Sequence, residues 1–148
     1  MKVMFVCTGN ICRSPMAEAI FKDIAGNVEV SSAGTFALEG EMASYNAIEV
    51  CKSHGLDLSG HRSTPIEDSD IEEMDLVLTA TVRHRDYLKE EYPNLKICTI
   101  KECAGYENLD IADPYGYNLN VYENCFLEIK EALEKICESK SDFSKIKI

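Results

Sequence analysis

The chain predicts an α/β fold in three layers: a four-stranded parallel sheet with helices on both faces. Two observations carry this. Four strand-like runs alternate with helical stretches, an order that yields parallel strands joined by crossover helices. The first run, Lys2-Val-Met-Phe-Val6, is almost continuously apolar and reads as a buried strand, as strands covered on both faces do. Sheets of this kind bind ligands at the carboxyl ends of their strands, beside a switch in strand order. Cys7 lies at such an end.

The elements follow in order. Strands are expected at residues 2–7, 28–32, 75–79 and 95–100, and helices at 14–25, 41–54, 67–74 and 82–92. A last helix is expected over 121–137, where Val121, Phe126, Ile129, Leu133 and Ile136 recur near the 3.6-residue period. Gly34, Gly40, Gly55, Gly60 and Gly105 punctuate the loops. The tail 139–148 is polar and is expected to be loosely ordered. There is no repeat, linker or low-complexity run, so residues 1–148 read as one domain, long enough to bury an adequate core.

Composition narrows the function. The net charge of −11 argues against nucleic acid and anionic membrane as partners. Any phosphate pocket must therefore draw its positive potential locally. Seven cysteines, an odd number, and no signal peptide or apolar run of membrane length fit a reducing cytoplasm. Metal binding is not expected. Cys98 and Cys103 form one loose pair, and His54, His61 and His84 are scattered without ligand spacing. Cys51, Cys125 and Cys137 fall on helical patterns and read as core or helix-surface residues.

Residues 7–14, Cys-Thr-Gly-Asn-Ile-Cys-Arg-Ser, join the first strand to the first helix. Backbone N–H groups of a tight turn and of a helix N-terminus point into one concavity and carry partial positive charge. Arg13 adds a planar fork that matches two phosphate oxygens. The same field favours the thiolate of Cys7, the nucleophilic form. Gly9 and Asn10 stand at positions able to take positive φ, and Pro15 enters the first helical turn. Thr8, Gly9, Asn10, Ile11, Cys12, Arg13 and Ser14 are thus candidate phosphate-binding residues. The plain alternative is a buried strand-end cysteine followed by an ordinary helix start. Arginine suits that poorly, because a cation at a helix N-terminus is unfavourable unless an anion is bound. A nucleotide P-loop would need Gly-Lys-Ser/Thr where this chain has Cys12-Arg13-Ser14.

A thiolate displacing a phosphoryl group needs an acid for the leaving oxygen. Asp113, in Ile111-Ala-Asp-Pro-Tyr-Gly-Tyr117, is the candidate. Pro114 holds Asp113 extended and stiffens the loop. Alone, Asp113-Pro114 also reads as a common turn. Beside a Cys7–Arg13 loop it supplies the complementary half of one reaction.

Cys7-Thr-Gly-Asn-Ile-Cys-Arg-Ser-Pro-Met-Ala-Glu18, Ser32-Ala-Gly-Thr35 and Asp113-Pro-Tyr115 resemble the low-molecular-weight protein tyrosine phosphatases, over nearly the whole chain and in the same order. The resemblance implies strand order 2-1-3-4. It implies catalysis by Cys7, Arg13 and Asp113 through a phosphocysteine, a phosphorylated protein or peptide as substrate, inorganic phosphate as product, and no metal or organic cofactor. It also implies that Asn10 holds the turn in a strained conformation, that Ser14 donates to the thiolate and that His61 braces this network. Read by itself, His61 is equally a solvated loop histidine. Cys12 resembles a second loop cysteine able to form a disulfide with Cys7, or else is a small loop residue.

Cleft walls match the family only in part. Ile11, Phe36 and Tyr115 are the expected cleft residues, Leu38 stands nearby, and Gly116 replaces a second tyrosine. A bacterial branch of the family, which removes phosphate from arginine, shares the opening motif and an Asp-Pro-aromatic-Gly loop but carries threonine at the position of Ile11. An apolar branched side chain there packs a phenyl ring and offers a guanidinium no polar partner. Phosphotyrosine is the expected substrate and phosphoarginine the alternative. The related arsenate reductases need two further relay cysteines, and none lies between Cys51 and Cys98. A non-catalytic phospho-ligand module would need neither Cys7 nor Asp113.

Overall fold

A computed structural model of the chain describes residues 1–139. The strands are β1 (Lys2–Cys7), β2 (Glu29–Gly34), β3 (Leu76–Thr79) and β4 (Ile97–Thr99). They pair in parallel in the order β2-β1-β3-β4. The helices are α1 (Arg13–Ala25), α2 (Tyr45–Ser53), α3 (Val82–Glu91), α4 (Ile100–Ala104) and α5 (Leu119–Ser139).

Side-chain alternation along β1 divides the core into two layers. Val3 and Phe5 face one side, with Leu76 and Leu78 of β3, and pack under α1, α2 and α5. Met4 and Val6 face the other, with Val77 and Ile97, under Leu88 of α3. The first layer is the larger. The Phe5 and Phe21 rings meet edge-on there at 5.5 Å, and α5 contributes Tyr122, Phe126, Ile129, Leu133 and Ile136. Truncating a buried phenylalanine such as Phe21 to alanine costs about 3–5 kcal/mol.

Three expectations are corrected. The helix over 67–74 is instead two single 3-10 turns, Ile66–Asp68 and Ile71–Glu73. The Ser69 hydroxyl donates to the Ile66 carbonyl at 2.6 Å, which breaks the run between them, and Glu67, Asp68, Asp70, Glu72 and Glu73 repel one another. The helix over 41–54 begins only at Tyr45, because Glu41 is held extended by exchange with Ser63. The strand over 95–100 stops at Thr99, which caps the unexpected α4 in a box with Glu102. Of the expected loose tail 139–148, Ser139 closes α5 and the remainder lies outside the described residues. Among the described residues no helix is long and apolar enough to cross a membrane.

Candidate active site

The carboxyl end of β1 runs directly into residues 8–12 and then α1. Loop carbonyls are taken up by the protein. Those of Cys7 and Thr8 accept from Thr35 N and Phe36 N at 2.9 Å, that of Ile11 from Ser44 N at 2.9 Å, and that of Asn10 from His61 Nε2 at 2.7 Å. The amides are not: no N–H of residues 8–14 donates a hydrogen bond within the described residues. Nor does a side chain cap α1, and its first turn has no acidic residue. A loop with its carbonyls turned into the protein and its amides left over is a receptor for an anion.

The turn needs the left-handed conformation once, at Asn10, with φ 56°. Gly9, the other candidate for positive φ, does not use it. Gly34 serves differently. A Cβ there would lie 2.4 Å from the Thr8 carbonyl oxygen and 3.0 Å from Asn10 N, so β2 must present a bare backbone for the loop to close on it.

Fully buried, Asn10 organises the polar interior. Its Oδ1 accepts from Thr64 N at 2.9 Å, and its Nδ2 donates to Ser14 Oγ at 2.8 Å and to Ser32 Oγ at 3.0 Å. Ser32 in turn donates to Glu18 at 2.6 Å. Because Ser14 Oγ accepts from Asn10, its own proton is free to go to Cys7 Sγ, 2.9 Å away. His61 reaches this network through the loop carbonyl of Asn10, not through a side chain.

Arg13 is buried, an expensive place for a cation without a partner. Nη1 donates to the Ile111 carbonyl at 2.8 Å, and Nη2 stands 3.8 Å from Asp113 Oδ2. Nε is buried with no hydrogen-bond partner. Ile111 N is held by the Ala80 carbonyl and Asp110 by Val82 N, so the ends of β3 and α3 pin the loop that carries Asp113. Asp113, 52% exposed, accepts from Tyr115 N. Cys7, Thr8, Gly9, Ile11, Cys12, Arg13, Asp113 and Tyr115 line one pocket of about 190 Å³. Phe36 is not among them. It is 87% exposed and lines a neighbouring groove beside the loop.

Three partners of the loop were not legible beforehand. His84 bridges Thr8 Oγ1 through Nε2 at 2.8 Å and Thr81 Oγ1 through Nδ1 at 2.9 Å. Burial, reinforced by the charge of Arg13, depresses its pKa to about 4, so the ring is neutral at pH 7. Ser44 and Tyr122 flank Cys12 Sγ, each at 3.3 Å, and burial raises the Cys12 pKa. All seven cysteines are free thiols.

This geometry agrees with relatedness across the chain. The sequence pattern of the family described as low molecular weight phosphotyrosine protein phosphatase matches residues 2–144. The chain belongs to that family. It is 39% identical over 141 residues to a protein-arginine-phosphatase of Geobacillus stearothermophilus, covering 93% of this chain and 94% of the relative. To a low molecular weight protein-tyrosine-phosphatase of Staphylococcus epidermidis it is 35% identical, covering 92% and 96%. The crystal structure of a low molecular weight protein tyrosine phosphatase from T. tengcongensis superposes with a TM-score of 0.87 at 44% identity, over 94% of this chain and 99% of that one. The protein is thus a phosphatase of the low-molecular-weight type.

Proposed function

We propose that this phosphatase hydrolyses phosphotyrosine in protein or peptide substrates through a phosphocysteine, with residues 1–148 acting as one catalytic domain. The observation that carries the reading is the set of loop amides of residues 8–14, left without acceptors around Cys7 together with Arg13 Nε. The phosphoryl oxygens accept from these amides and from Arg13. Cys7 attacks phosphorus as a thiolate. The S–P bond forms as the bond to the leaving oxygen breaks, and Asp113 gives that oxygen a proton. Asp113 then takes a proton from water as the water attacks phosphorus. The S–P bond breaks, inorganic phosphate leaves, and the sulfur regains its hydrogen bond from Ser14. Asn10, Ser14 and His61 hold the loop in register. Cys12 is assigned a redox role, forming a disulfide with oxidised Cys7. Free thiols throughout suit the reducing cytoplasm, where we place the enzyme.

Ile11 and Tyr115, both lining the pocket, support an aromatic leaving group. Phosphoarginine is the second reading, favoured by the 39% identical arginine phosphatase and by the shared Asp113-Pro-Tyr-Gly116 pattern. The deciding experiment compares kcat/KM for phosphotyrosine and phosphoarginine in one peptide frame. Wild type is expected to prefer phosphotyrosine, and Ile11→Thr to move the ratio toward phosphoarginine by ~1–3 kcal/mol. A wild-type preference for phosphoarginine gives the assignment to the second reading.

A further inference from the structure

Beside the phosphate pocket lies a groove of about 390 Å³, lined by Thr35, Phe36, Arg83, His84 and Tyr87. Thr8 is the partition between them. It lines the pocket, its hydroxyl bonds His84, and its carbonyl accepts from Phe36 N at 2.9 Å. One wall of the groove is therefore hydrogen-bonded to the phosphate loop itself. Nothing in the hydrolysis derived above uses this space.

Its chemistry is specific. Phe36, 87% exposed, and Tyr87, 50% exposed, present aromatic surface to solvent. Arg83 is exposed and makes no hydrogen bond or ion pair among the described residues. The other arginines are engaged: Arg13 and Arg85 by carboxylates, Arg62 by the carbonyls of Ser59 and His61. With 26 acidic residues against 15 Lys and Arg, partners for a cation are plentiful, so an unpaired guanidinium beside the site stands out. The His84 ring is neutral at pH 7 and leaves Arg83 as the groove's one positive side chain.

We propose that this groove binds the substrate chain on one side of the phosphorylated residue, with Arg83 pairing an acidic side chain and Phe36 and Tyr87 covering an apolar neighbour. The proposal rests on the reading of the enzyme as a protein phosphatase. A guanidinium fork matches a carboxylate, and exposed rings favour apolar contact. Against a chain of net charge −11, an acidic segment is otherwise repelled, so Arg83 decides whether it is admitted. The contact is the same before and during phosphoryl transfer, so it acts on KM and leaves kcat alone.

The test is a series of phosphopeptides of one length, carrying Glu, Gln or Lys at each of the three positions on either side of the phosphorylated residue, with para-nitrophenyl phosphate as the small substrate. Wild type is expected to show a KM about fivefold lower for Glu than for Lys, on one side only, as suits an exposed pair. Arg83→Glu should invert that preference, Arg83→Lys should keep part of it, and all three enzymes should turn over para-nitrophenyl phosphate alike. A wild type indifferent to flanking charge overturns the proposal, as does an Arg83→Glu variant that changes Glu and Lys peptides by the same factor. A wild type inert toward para-nitrophenyl phosphate removes the phosphatase reading itself, and this inference with it.

Discussion

Replacement of Asn10 separates backbone strain, buried polarity and proton direction within one side chain. Asn10 is the one non-glycine residue at positive φ among the described residues, and it is fully buried. Alanine in that conformation costs about 1 kcal/mol more than asparagine, whose short polar side chain tolerates it. Alanine also strands the Thr64 amide, and a part-buried donor without an acceptor costs about 1–3 kcal/mol. Asn10→Ala should therefore lose ~2–4 kcal/mol in urea unfolding. Asn10→Gly should recover ~1 kcal/mol of that, since glycine relieves the strain but not the stranded donor. Asn10→Asp keeps the turn and the Oδ1 acceptor, but it replaces the Nδ2 donor with a second acceptor. Ser14 would then give its proton to the carboxylate in place of Cys7 Sγ. Its kcat on para-nitrophenyl phosphate should fall at least tenfold, on the order of one charge-assisted hydrogen bond. Equal stability of the Ala and Gly variants would remove backbone strain from the account. An Asp variant with kcat within about threefold of wild type would refute the role given to the Ser14 proton.

Asp113→Asn should lower kcat strongly for poor leaving groups and little for activated ones; a loss independent of leaving-group pKa, measured across a series of aryl phosphates, would make Asp113 structural. Mild peroxide should inactivate wild type reversibly, whereas Cys12→Ser should lose a thiol-irrecoverable fraction; equal recovery of the two would remove the protective role of Cys12. The His84 ring, held at about 4 against the ordinary 6.5, lets the unfolded chain bind more protons between those values. Its contribution, about 3 kcal/mol, is therefore present above pH 6.5 and lost as pH falls toward 4, and His84→Gln should flatten unfolding free energy across that window; an unchanged slope would contradict it.

The parts of the molecule legible in the sequence are those whose cause is local. The apolar run of β1, the period of α5 and the strand-turn-helix at Cys7 each depend on neighbours a few residues away, and each appears where expected. The acidic stretch expected as a helix over 67–74 forms two separate turns, because the Ser69 hydroxyl bonds back to the Ile66 carbonyl, a partner outside that span. Helix α4 has a local signal, the capping pair Thr99 and Glu102, which overlaps the end of the expected strand 95–100. The loop's supports carry no such signal. Ser32 is 22 residues from Asn10, and His84 is 76 from Thr8, so only the pairing of β2 and β3 with β1 brings them in. Phe36 is tied to the phosphate loop through its amide on the Thr8 carbonyl and lines the groove beside the pocket, a placement that depends on β2 pairing with β1.

The direction of the buried hydrogen bonds follows from one end of the chain. Glu18 accepts only, from Lys22 at 2.7 Å and from Ser32 at 2.6 Å. Having given its proton away, Ser32 can only accept from Asn10 Nδ2. That amide's orientation is fixed a second time by Thr64 N on its oxygen, so its other proton goes to Ser14. Ser14 is then left with a single proton to give, and Cys7 Sγ is the atom beside it. A carboxylate on the outer part of α1 thus determines that the sulfur meets a donor and not a lone pair. Neutral hydroxyls and an amide thus stand between the Glu18 carboxylate and the Cys7 sulfur, so the carboxylate sets the direction of the chain without touching the sulfur.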